Sequence, residues 1–271
     1  MPVTLSALLS RWELEPSVIL GLVLLACGFA WLQRRPRYRV AAGRQASFYS
    51  AVAIVALALL SPLDVIGDGY LVFAHMVQHL LLVLLAAPLI ARAIPTVWAS
   101  KIRMSPVIAF TLFNTVFSLS HLEIWYQATL VHESLHILEH GLYIVTAILN
   151  WLPVVSAAED RRLAPALQML YLFAQTLPMF LVGSLLSLAS EAIYPFYLRA
   201  PRIVPLTAVE DQSLAGLIMW IGGSVFYLGA LTVVFFQWAN REIGLNEPVD
   251  QPDAIQPRRE DVWIESPRLS A

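Results

Sequence analysis

Cysteine is all but missing from the chain: among 271 residues Cys27 stands alone. A single sulfur excludes, within one chain, both a disulfide framework and a metal site built from thiolates. Cys27 is therefore read as a small buried residue of a helix. Charge is scarce as well, at 13% of residues against 58% hydrophobic, with a mean hydropathy of +0.68. Soluble domains carry about 25% charged residues, so that class is excluded and the chain reads as an integral membrane protein. There is no internal repeat, glycine-rich phosphate loop or basic nucleic-acid patch, and no nucleic-acid partner is expected. The first residues lack a basic region leading to a small-residue cleavage site, so the first apolar run is expected to stay in the protein.

What the chain has in abundance is apolar runs. About 20 such residues cross roughly 30 Å of hydrocarbon, and seven windows qualify, near residues 16–33, 46–63, 70–91, 106–123, 134–154, 165–188 and 212–238. The expected fold is all-α, a polytopic bundle of seven transmembrane helices over residues 16–240. Residues 1–15, with leucines at helical spacing and Trp12, read as a segment lying at the outer interface. From residue 241 the chain is rich in Pro, Arg and Asp and reads as a disordered cytoplasmic tail. SPLDVIGDGY, between the second and third windows, reads as an outer loop, with Pro62 ending the preceding helix and Gly67 and Gly69 supplying the turn.

The net charge of -2 says less than its distribution. Fourteen of the 17 basic residues lie in alternate joints and the tail, among them Arg34, Arg35, Arg37, Arg39 and Arg44 between the first two windows. Only Arg11, Arg199 and Arg202 fall at the other end. The positive-inside rule then places the N-terminus outside and the C-terminus in the cytoplasm.

Six histidines gather at the outer end: His75 and His79 in the third window, and His121, His132, His136 and His140 around the start of the fifth. His75 and His79, four apart, share a helix face about 7 and 13 Å along from Tyr70. Asn114, Ser118 and His121 are expected to form a polar stripe with His121 outermost. His132, His136 and His140 share a face if their helix begins by residue 132, and otherwise His132 belongs to the loop. Neutral imidazole ligates copper, zinc and iron, and an ionisable group within a span is a functional candidate by default. The competing reading is that each histidine hydrogen-bonds across helices and fixes the packing. HESLH, residues 132–136, also matches the H-E-x-x-H zinc-protease pattern. Paired histidines on facing helices could equally hold haem iron. Gly216, Gly222, Gly223 and Gly229 in the last window suit close helix packing.

SPLDVIGDGYLVFAHMVQHLLLVLLAAPLI, HLEIWYQATLVHESLHILEHGLYIVTAILNWLPV and EDQSLAGLIMWIGGSVFYLGAL together span residues 61–231. They resemble the three signature blocks of the multi-spanning CtaG family of cytochrome c oxidase assembly proteins, with H-M-x-Q-H, L-H-x-x-E-H before N-W-x-P, and D-Q-x-x-A-G-x-I-M-W in place. The resemblance implies an assembly factor for a haem-copper oxidase in the bacterial inner (plasma) membrane, with oxidase subunits and membrane lipid as partners and no enzymatic activity. It implies copper, as Cu(I), held through some of His75, His79, His121, His136 and His140. Met76, Gln78, Glu139, Asp211, Gln212 and Met219 are the further motif residues, expected behind the ligands or at the mouth of the site. His132 falls outside the motifs. The alternatives are an intramembrane zinc-dependent hydrolase with Glu133 or Glu139 as base, and a metal-free assembly scaffold.

Overall fold

The computed structural model describes residues 4–246. Every regular element among them is helical. A short helix α1, Leu5–Leu9, precedes α2, Pro16–Gln33, whose proline stands at its first position, where no N–H is needed. In α2 only Phe29 and Leu32 are buried. Apolar residues surround it on all sides, the pattern of a span facing lipid, and Cys27 is accordingly exposed rather than buried.

Helix α3, Ala42–Leu60, leads into α4, Pro62–Gly69, where an outer loop was expected. The local sequence explains the difference: the Ser61 hydroxyl accepts the Leu63 N–H at 3.2 Å and Pro62 opens the first turn, a standard helix start. Gly67 serves packing rather than turning, since a Cβ there would come within 2.9 Å of the His75 Cα. The chain reverses at Tyr70 and Leu71 instead.

Helix α5 runs unbroken over Val72–Ala93. Its middle, Leu81–Ala86, widens into a π turn just before Pro88, which has no N–H to give. The Ala87 N–H reaches back to the Leu82 carbonyl, which leaves the Val83 carbonyl without its helical donor, and the Trp151 indole N–H fills that place at 2.9 Å.

Helix α6, Pro106–Ser120, is the expected span that differs most. It has 15 residues, reaching about 22 Å at 1.5 Å per residue, and gives way at His121 to α7, Glu123–Val131, bent away by 73°. Helices α8, Glu133–Val155, and α9, Pro165–Leu188, are long and carry Pro153 and Pro178 inside them. A short α10, Pro195–Arg199, lies in the next connection. The last helix, α11, runs from Ala208–Leu217 through a second π turn, Ile218–Gly222, into Gly223–Asn246. It ends beyond residue 240, and the rest of the expected tail lies outside the described residues. Among the described residues six helices are long and apolar enough to cross a membrane, or seven if α6 and α7 form one bent span.

In the bundle α8 packs on α5 and α6, and α9 packs on α11. Polar side chains tie three helices together. Asn114 donates to the Gln175 Oε1 at 2.9 Å, and Gln175 and Tyr171 donate to the Asn150 Oδ1 at 2.6 and 2.5 Å. Asn114 thus belongs to a packing network. Ser118 does not extend it: the buried face of α6 carries Phe113, Phe117 and Ser120, which turns Ser118 outward.

Candidate metal centre

Two pairs of histidines meet where the N-terminal halves of α5 and α8 face each other. His75 and His79 present their rings from one turn of α5, with centroids 4.3 Å apart. His136 and His140 do the same from α8, also at 4.3 Å. Across the interface His75 lies 5.7 Å from His136, and His79 lies 5.2 Å from His140. The helical period alone makes each pair, and helix packing makes the four. His75, His79 and His140 are buried and His136 partly so.

Asp68, at the end of α4, orients one ring from each helix. Its Oδ1 takes the His75 Nδ1 at 3.0 Å and its Oδ2 lies 3.3 Å from the His136 Nδ1. A carboxylate only accepts, so the His75 proton sits on Nδ1 and the Nε2 of the neutral ring keeps its lone pair. The Nε2 atoms of His75 and His136 have no hydrogen-bond partner, nor do the Nε2 of His140 and His121 or either nitrogen of His79. Buried polar atoms are almost always satisfied, so such a set in one place is a pattern that fits a metal ion. The ligand atoms of Asp68, His75 and His136 lie within 4.8 Å of one another, as do those of His75, His79 and Glu139. Glu139 is buried on α8, accepts the Trp125 indole N–H at 3.2 Å through Oε1 and leaves Oε2 free.

The remaining candidates are placed otherwise. His121 follows the last residue of α6, where its Nδ1 donates to the Phe117 carbonyl at 2.6 Å and lies 3.4 Å from the Tyr143 hydroxyl. Tyr143 in turn stacks near His79, at 4.6 Å, so His121 stands behind the four rather than among them. His132 is exposed, with extended backbone before the first turn of α8; it shares no helical face with His136, as the H-E-x-x-H pattern requires.

Gln78 donates to the Ala58 carbonyl at 3.1 Å and to the Asp64 Oδ1 at 2.5 Å, clamping α5 to α3 and α4. Burial, and then the neighbouring Asp68 charge, push the Asp64 carboxyl up to about 7, against the pull of the Gln78 hydrogen bond. Met76 and Met219 are packed in the apolar core. Asp211 and Gln212, expected at the mouth, are buried and engaged. Asp211 accepts the Val72 and Phe73 N–H groups at 3.0 Å each, capping α5 from another helix. Gln212 accepts the Ile193 N–H at 2.6 Å and donates to the Leu186 and Glu191 carbonyls at 3.3 Å. Asp68 is the residue that sequence reasoning missed. The available signal was its spacing of four from Asp64, the same spacing as the histidine pairs.

A bundle of apolar helices enclosing histidines with free lone pairs defines a polytopic membrane protein with a buried polar centre. Residues 23–241 match the model of the cytochrome c oxidase caa3 assembly factor family, Caa3_CtaG, and the chain belongs to that family. The family's description is that of an assembly factor for a cytochrome c oxidase. No curated relative and no solved structure matches the chain.

Proposed function

We propose that this protein binds Cu(I) through His75, His79, His136 and His140 and supports formation of a copper centre in a haem-copper cytochrome c oxidase. The observation that carries the reading is the set of buried Nε2 atoms without partners on two facing helices. Imidazole donors suit copper, and the Asp68 hydrogen bond would hold the His75 ring in the ligating tautomer in the manner of carboxylate–histidine–metal triads, with His136 close by. His121 is a reserve ligand behind Tyr143. The charge distribution supports an outward-facing histidine end in a bacterial plasma membrane, with oxidase subunits as partners. Copper is the cargo in this reading.

The test is maturation of the oxidase in cells carrying His79→Ala or His140→Ala. The expected outcome is loss of active oxidase with the variant protein still present in the membrane at wild-type level. Disappearance of the protein itself would support a packing role instead. Glu139→Gln or Glu133→Gln, with metal content shown to be retained, separates a carrier from a zinc hydrolase in the same assay: a carrier keeps most of its function, whereas a hydrolase relying on that carboxylate as base loses it.

A further inference from the structure

The histidine centre is reached from one side by a cleft of about 360 Å³ whose floor includes His136 and His140. Its walls come from the segment before α2, from α4 and from the first turn of α8. They carry five carboxylates, Glu13, Glu15, Asp64, Asp68 and Glu133, and no lysine or arginine. Such clustering alone would mean little. Here, however, the cleft ends on His140, which is only 8% exposed and whose Nε2 has no partner.

We infer that this cleft is the entry funnel for a metal cation, in which the carboxylates of the N-terminal segment draw a monovalent or divalent ion toward the histidines. The inference rests on the histidine reading above and adds the route. Glu13 and Glu15 lie before residue 23, where the family match begins, so that part of the acidic rim lies outside the matched region. Both are anchored at the rim: the Ser17 hydroxyl donates to the Glu15 Oε1 at 3.1 Å, and Arg11 pairs with Glu13 at 3.6 Å without lining the cleft. Hard carboxylate oxygens are poor final ligands for a soft ion, whereas imidazole is a good one. A like-signed cleft with low-dielectric walls concentrates counter-ions and raises their rate of arrival without holding them. The order along the cleft, carboxylates first and imidazoles last, therefore favours inward transfer. Asp68 stands at the junction, contacting both His75 and His136.

The test is the rate of metal loading on the full chain in detergent. Cu(I) supplied as its acetonitrile complex is added to apo-protein, quenched at intervals and counted by element-resolved mass spectrometry. Glu13→Gln/Glu15→Gln/Glu133→Gln is expected to load about three- to ten-fold more slowly at low ionic strength. Its final metal content should equal that of wild type, and its rate should depend less on salt. Removal of three carboxylates at the far end, Glu159→Gln/Asp160→Asn/Glu242→Gln, should leave the rate unchanged. Equal rates and equal salt dependence in wild type and the cleft variant would overturn the funnel while leaving the histidine centre intact, as would equal slowing by the far-end variant. Failure of wild type to take up any metal would overturn both readings together.

Discussion

His79 is the residue on which the metal reading bears most heavily, because neither of its buried ring nitrogens has a partner in the protein. Its neighbours are other imidazoles and the Tyr143 ring rather than a fixed acceptor. Asp68 has the complementary task. It binds no free Nε2 itself, but it sets the proton on His75 and steadies His136. Loss of such an orienting carboxylate usually weakens metal affinity by about 10- to 100-fold, and that is the expected effect of Asp68→Ala, read by competition with a Cu(I) chelator at constant protein yield. An unchanged affinity would show that the contact with the histidines is incidental. At this scale the sequence was informative wherever helix periodicity decides the answer. His75 with His79, and His136 with His140, fall on common faces by spacing alone. Asp68 was obscured because SPLDVIGDGY looks like a glycine turn, while Ser61 and Pro62 in fact start a helix there. Asp211 was expected behind the ligands or at the mouth of the site, but its work is to cap α5 from a distant part of the chain, and no local pattern announces a long-range cap.

At the scale of elements, α9 and α11 approach each other closely. A Cβ on Gly216 would fall 2.4 Å from both the Gly183 carbonyl oxygen and the Ser187 hydroxyl, and one on Gly183 would fall 2.7 Å from the Gly216 carbonyl oxygen. Small residues at such contacts let two backbones approach where apolar burial offers little drive within lipid. Gly216→Ala is expected to destabilise by about 1–3 kcal/mol through overpacking, seen as a lower thermal midpoint in detergent. Gly229→Ala, with nothing within 4 Å of its added carbon, should be neutral or gain slightly from helix propensity. Equal losses at both positions would contradict the packing account. The glycines of the last window were visible in the sequence as a packing feature, but their partner was not: Gly216 meets α9, Gly223 meets Met179, and Gly222 and Gly229 meet nothing. Hydropathy likewise located the spans to within a few residues at most ends. It overran α6 because apolar content continues through the bend at His121, where the backbone turns by 73°.

Across the whole molecule, the basic joints lie at one end and the histidines with the acidic cleft at the other. The two expectations arose separately, one from charge counting and one from histidine placement, and the packing of α5 against α8 gives the second a common centre. The apolar girth was legible because lipid imposes it on composition. The assembly of the centre was less so, because it depends on how α4, α5 and α8 meet. The measurement that bears most directly on the central claim is the metal content of purified protein loaded with Cu(I) under reducing conditions, with copper, zinc and iron counted in one sample and His79→Ala treated in parallel. Copper bound near stoichiometrically by wild type and lost from the variant is the predicted result. Zinc retained in preference to copper, or no metal in either protein, would contradict it.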